Sequence, residues 1–159
     1  MTSILKVSEI QDPTNGNTAL TVDTSGRVAL PNRPHAMVDF GGSAYVSKSA
    51  GIMPFDNAFV NVGNHYSTTT YKFTCPTTGL YTVEFAAITQ NNSDDFEVSV
   101  RLDNVDYARF YVLNRNLNFC ATVSCTAGQL LHIQNGSARA YYEGTGSNRY
   151  TYAAYTFIG

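Results

Sequence analysis

At 159 residues the chain has room for one main domain and a small appendage, and a domain of this size can hold a core without staples. Only 14% of the residues are charged, the formal net charge is −2, and the ten Lys and Arg are scattered, so a nucleic-acid partner is not expected. No long apolar run argues for membrane insertion, no secretory leader is read at the start, and the plentiful Tyr, Phe, Thr and Asn favour strands over helices.

Residues 1–33 read as a separate segment. Ile4 to Ile10 is a short strand, Asn15-Gly16 a turn, Ala19-Leu20-Thr21-Val22 a second strand, and Ser25 to Leu30 turns into a third. Two or three isolated strands are marginal in water. The segment therefore needs either the body of its own domain or the same segment from neighbouring chains. Pro31-Asn32-Arg33-Pro34 is the expected junction, since two prolines bracket a polar pair.

The main domain, residues 34–159, opens with a strand over Ala36 to Phe40, a break at Gly41-Gly42 and a short strand or loop from Ser43 to Ser49. Phe55 to Ile88 reads as two strands with a turn between them. Tyr71 and Phe73, then Tyr81, Val83, Phe85 and Ala87, fall on one face, and Cys75-Pro76-Thr77-Thr78-Gly79 makes a corner. After the polar loop Asn91 to Asp95, Phe96, Val98, Val100 and Leu102 alternate inward. Asp103-Asn104 turns the chain into a strand from Tyr107 to Leu113, and Asn114-Arg115-Asn116 turns it back. Leu117, Phe119, Ala121, Val123 and Cys125 then alternate inward, and further strands cover 129–134, 138–142 and 150–158, the last two separated by Gly144 to Asn148. No 3.6-residue apolar pattern with caps occurs. Many short strands at close spacing predict an all-β antiparallel sandwich.

Phe55-Asp56, Asn61-Val62-Gly63 with Tyr66, then Lys72-Phe73-Thr74-Cys75-Pro76 and Gly79-Leu80-Tyr81, resemble the signature of the globular head of the first complement component. The closing pattern of that family is matched by Arg149 to Tyr155, with Ala154 where the family prefers glycine. The resemblance implies a jelly roll, shared with tumour necrosis factor, and a homotrimer. It makes Phe55, Asn61, Gly63, Tyr66, Phe73, Pro76, Gly79 and Tyr81 structural signature residues. That family also occurs in bacteria and phages, and Ala19 to Val28 is similar to the short β-repeats near the start of bacteriophage tail-fibre proteins.

Little in the chain points to catalysis. His35, His65 and His132 lie in different elements and read as surface or half-buried residues, no nucleophile elbow or phosphate loop occurs, and the acids are dispersed. No cofactor and no metal are expected, although Asp94-Asp95 and Asp103 to Asp106 offer oxygen atoms of the kind calcium uses. Cys75, Cys120 and Cys125 read as free thiols, because Cys120 and Cys125 point to opposite faces of one strand. The candidate receptor-binding residues are Tyr141, Tyr142, Arg149 and Tyr150, which combine flat aromatic surface and a guanidinium fork around a glycine-rich loop, with Asn91 to Asp95 as a second loop. The expected function is a non-enzymatic virion structural protein, the homotrimeric head of a bacteriophage fibre or spike, assembled in the host cytoplasm. Its expected partners are itself, other virion proteins through residues 1–33, and a host surface glycan or protein. A capsid decoration or cement protein is the alternative.

Overall fold

The computed structural model describes residues 7–14, 16–42, 44–90, 96–112, 116–142, 144–145 and 148–159. Its contacts fall into two compact units, one ending at Arg33 and one running from Pro34 to Gly159.

The first unit is a three-stranded antiparallel sheet of β1 (Glu9–Gln11), β2 (Thr18–Val22) and β3 (Val28–Ala29), in that order. Short-range polar contacts fix its turns. Asp12 Oδ1 accepts from Thr14 N–H at 2.7 Å, and Asp23 Oδ1 accepts from Ser25 and Arg27 N–H at 2.8 and 2.9 Å. Those bonds to Arg27 and Ser25 hold the Asp23 carboxyl below its ordinary range.

The second unit is an antiparallel sandwich. Its strands are β4 (His35–Asp39), β5 (Tyr45–Lys48), β6 (Gly51–Ile52), β7 (Asn57–Val62), β8 (Tyr66–Ser67), β9 (Lys72–Thr74), β10 (Gly79–Ile88), β11 (Phe96–Leu102), β12 (Val105–Val112), β13 (Asn116–Cys125), β14 (Leu130–Asn135), β15 (Arg139–Tyr142), β16 (Gly144–Thr145), β17 (Asn148–Arg149) and β18 (Tyr152–Phe157). One sheet has the order β13-β10-β18-β4-β7. The other runs β12-β11-β14-β9-β8, and β6 continues along the same side of β14 as β9. The pairs β5–β15 and β16–β17 form two small ribbons.

Alternation explains which face is buried. Tyr81, Val83, Phe85 and Ala87 of β10 and Val98 and Val100 of β11 point between the sheets with Ala36, Val38, Leu117 and Val123, while Glu84 and Thr122 point away. Each large apolar side chain in that layer contributes roughly 1.5–3 kcal/mol. Across the open edge between β12 and β13, Phe110 and Phe119 stack at 3.8 Å.

The segment Phe55–Ile88 holds four strands, β7 to β10, rather than two. Gly63 and Asn64 take positive φ (77° and 56°) and Tyr71 does too (60°), so the chain reverses once before and once after β8. Tyr71 therefore sits in a turn and does not share a strand face with Phe73. Ala154 leaves the last strand regular: β18 pairs without a register shift against β10 and β4. His132 is fully buried, not superficial, and its two ring nitrogens have no hydrogen-bond partner among the described residues. Burial first, then the positive charges of Lys72 and Arg101, push its pKa down to about 4. Cys120 is exposed and Cys125 buried, as opposite faces of β13 require, and Cys125 lies beside buried Cys75, whose thiol burial pushes up.

Candidate functional site

The signature residues lock corners. Tyr66 is buried in front of Tyr155 and donates its hydroxyl to Phe55 O at 3.1 Å, while Asn61 receives Tyr66 N–H and donates to Tyr66 O, at 3.0 and 2.9 Å. Removal from water raises the Tyr66 phenol far above its ordinary value. Gly63 lies so close to the His65 ring that a Cβ would stand 2.3 Å from Nε2. At the corner after Pro76, Tyr81 donates to Thr77 O at 2.7 Å, and a Cβ on Gly79 would stand 2.4 Å from Gly159 O. Phe73 stacks at 5.3 Å on Tyr155. Phe55 is buried with them.

The region chosen from sequence for recognition is divided by the structure. Tyr141 has no exposed surface; its ring packs against Phe40 and Phe96 and its hydroxyl donates to Asn135 Oδ1 at 2.8 Å. It cannot touch a receptor without unfolding β15, so its assignment as a contact residue is corrected to a structural one. Arg149 is a clamp: Nε lies 2.8 Å from the buried Asp39 Oδ2, and the guanidinium sits 3.9 Å over the Phe59 ring. Asp39 is held in turn by Gly41 N–H and Asn57 Nδ2 at 3.0 and 2.6 Å. Tyr150 keeps 37% of its surface exposed. Tyr142 joins β15 through its backbone pairing with Tyr45, and its side chain lies outside the described atoms, as does the loop Asn91 to Asp95.

An exposed aromatic surface occurs instead on β12, the edge strand of its sheet. Tyr111 is 74% exposed and Tyr107 49%. Between them Arg109 reaches Asp106 and Glu97, and Arg101 Nε lies 2.7 Å from Asp106 Oδ1, which also accepts from Ser99 Oγ at 3.0 Å. The register shift after Val100 brings Asp106 into this network. Burial alone would raise the Asp106 carboxyl, but hydrogen bonds from Arg109, Ser99 and Arg101 hold it below the usual range. A shallow pocket of about 310 Å³ adjoins Tyr111, lined also by Phe96, Glu97, Gly136 and Ser137. Fixed guanidinium, carboxylate and flat tyrosine faces suit stacking and directional hydrogen bonds to a sugar or peptide. The alternation of Tyr107, Arg109 and Tyr111 is the sequence signal of this surface, but no local feature marks their strand as the edge of its sheet, which is set by the pairing order.

The acids considered for calcium are otherwise engaged or lie outside the described residues. Asp103 accepts from Leu130 N–H and Gln129 Nε2, each at 2.9 Å, Asp106 serves the arginines, and Asp94 and Asp95 are not described.

Residues 38–156 match the C1q domain family model. No curated protein matches the chain. Among solved structures, the globular domain of zebrafish complement 1qA protein is similar with a TM-score of 0.56 and 16% identity, over 79% of this chain and 96% of that one. The Eiger TNF of S. frugiperda is similar with a TM-score of 0.58 and 14% identity, over 80% of this chain and 94% of that one. At such identities the likeness is one of fold.

Proposed function

This chain belongs to the C1q domain family, whose domains are non-catalytic and, like those of TNF, usually homotrimeric, and on that premise we propose that it is the homotrimeric head of a bacteriophage fibre or spike. Residues 1–33 attach it to the particle, and the head contacts a host surface glycan or protein. The contact lies on the exposed face of β12, with Tyr111 and Tyr107 as stacking surfaces and Arg109 and Glu97 as the polar groups. The observation that carries this reading is that large aromatic side chains are displayed beside an ordered ion network on an edge strand, where packing does not require them. The low charge of the chain and the similarity of Ala19 to Val28 to fibre repeats support the virion setting.

The test is adsorption. Particles carrying Tyr107→Ala and Tyr111→Ala together should assemble normally and adsorb to host cells several-fold more slowly. Normal adsorption by particles that contain the double variant would remove the host-contact role and favour a decoration protein.

A further inference from the structure

The first unit has two unlike faces. Ile10 pairs with Leu20 and Val22 with Val28, and alternation from Leu20 to Val22 and from Val28 to Leu30 places Ile10, Leu20, Val22, Val28 and Leu30 on one side with Ser8. No charged residue of the three strands shares that side. The other side carries Val7, Glu9, Gln11, Thr21 and Ala29, and the register shift between Ile10 and Gln11 turns Thr18 to it as well, where Gln11 Nε2 and Thr18 Oγ1 both donate to Glu9 Oε1. On the aliphatic side Ile10, Val28 and Leu30 are 48%, 62% and 49% exposed. A sheet of three short strands with an open apolar face is not stable by itself in water.

We propose that this face is covered by the same face of two further copies of the chain, so that residues 8–30 form a three-fold stem with an aliphatic centre and a polar outside. The inference rests on the trimeric reading of the head. Three copies joined to one head through Pro31, Asn32 and Arg33 are held together at an effective concentration of the order of millimolar, so a face too small to associate alone can do so there. The face is also suited to itself: its five aliphatic residues bring no charge that would be left unpaired when three copies meet, and Ser8 is its one polar side chain, whereas a charged partner would find no complement. The turns at Asp12 and Asp23 fix the register within each copy before assembly.

The full chain bearing Cys120→Ser, which removes the exposed native thiol, provides the background. Val28→Cys introduces a thiol on the aliphatic side and Ala29→Cys one on the polar side, and each protein is treated with a short bis-maleimide at trimeric native mass. Val28→Cys should give covalent chain-to-chain dimers in several-fold higher yield than Ala29→Cys. Equal yields, or no cross-link at Val28→Cys in a protein of trimeric mass, would overturn the stem while leaving the trimeric head intact. A native mass of one chain would instead overturn the reading on which the stem rests.

Discussion

Tyr141 and Tyr111 have the same side chain and opposite surroundings. Tyr141 lies on a four-residue strand beneath Phe40 and Phe96 with its hydroxyl satisfied by Asn135, whereas Tyr111 lies on an edge strand with three quarters of its surface in water. Both strands carry arginines, Arg139 in β15 and Arg109 in β12. What separates the two tyrosines is which sheet position each strand takes, and that is decided by pairing partners far away in the chain. Tyrosine-rich sequence therefore marks where aromatic area is available, and topology decides whether it packs or is displayed.

The buried side of this comparison should break most severely at its centre. Phe73→Ala removes a ring stacked on Tyr155 and edge-on to Tyr81, and should cost about 3–5 kcal/mol, lowering the melting temperature by roughly 10 °C or more in a thermal scan. Tyr141→Phe keeps the packing and deletes one hydroxyl, leaving Asn135 Oδ1 without that donor. A loss of about 1–2 kcal/mol in urea unfolding is expected. If Tyr141→Phe were neutral, the buried hydrogen bond would not be what distinguishes this tyrosine.

Histidine 132 gives the same contrast a dependence on pH. Its pKa in the fold is pushed to about 4, below the ordinary value of 6.5, because burial strips the imidazolium of water and the positive charges of Lys72 and Arg101 repel it, so the unfolded chain binds the proton more readily. Stability from this residue is complete above pH 6.5 and is lost as pH falls from 6.5 to 4, with no further loss from it below that. The acids facing it, Asp103 and Asp106, oppose the effect without reversing it. His132→Leu should flatten the melting temperature across that window relative to the parent protein. An unchanged slope would assign the pH dependence to other groups.

On the displayed side, Tyr111→Ala should change unfolding free energy by no more than about 0.5 kcal/mol, since its ring has little to leave. A large destabilisation would mean that another surface covers it in the assembled protein, and the proposed contact face would then be an interface between chains.

Much of the fold could be read along the chain wherever a strand is covered on one face only. Strands β10, β11 and β13 show their inward residues by simple alternation, and the corner from Cys75 to Gly79 shows itself by proline and glycine. Strand β14 does not alternate, because Leu131, His132 and Ile133 are all buried: two face the core and the histidine is covered on the other side near Lys72 and Arg101. The turn at Tyr71 was hidden because a bulky residue with positive φ carries no local signal, and the register shift that delivers Asp106 to Arg101 and Arg109 depends on pairing between β11 and β12. The site was less legible for the same reason. Arg149 has the composition of a recognition residue, but its carboxylate partner is Asp39, more than a hundred residues earlier.

The assembly state tests the account most directly. Native mass measured by light scattering on the purified full chain at micromolar concentration should equal three chains of 17.4 kDa and remain so on dilution through that range. A stable species of 17.4 kDa would contradict the homotrimeric head, and with it the three-fold stem.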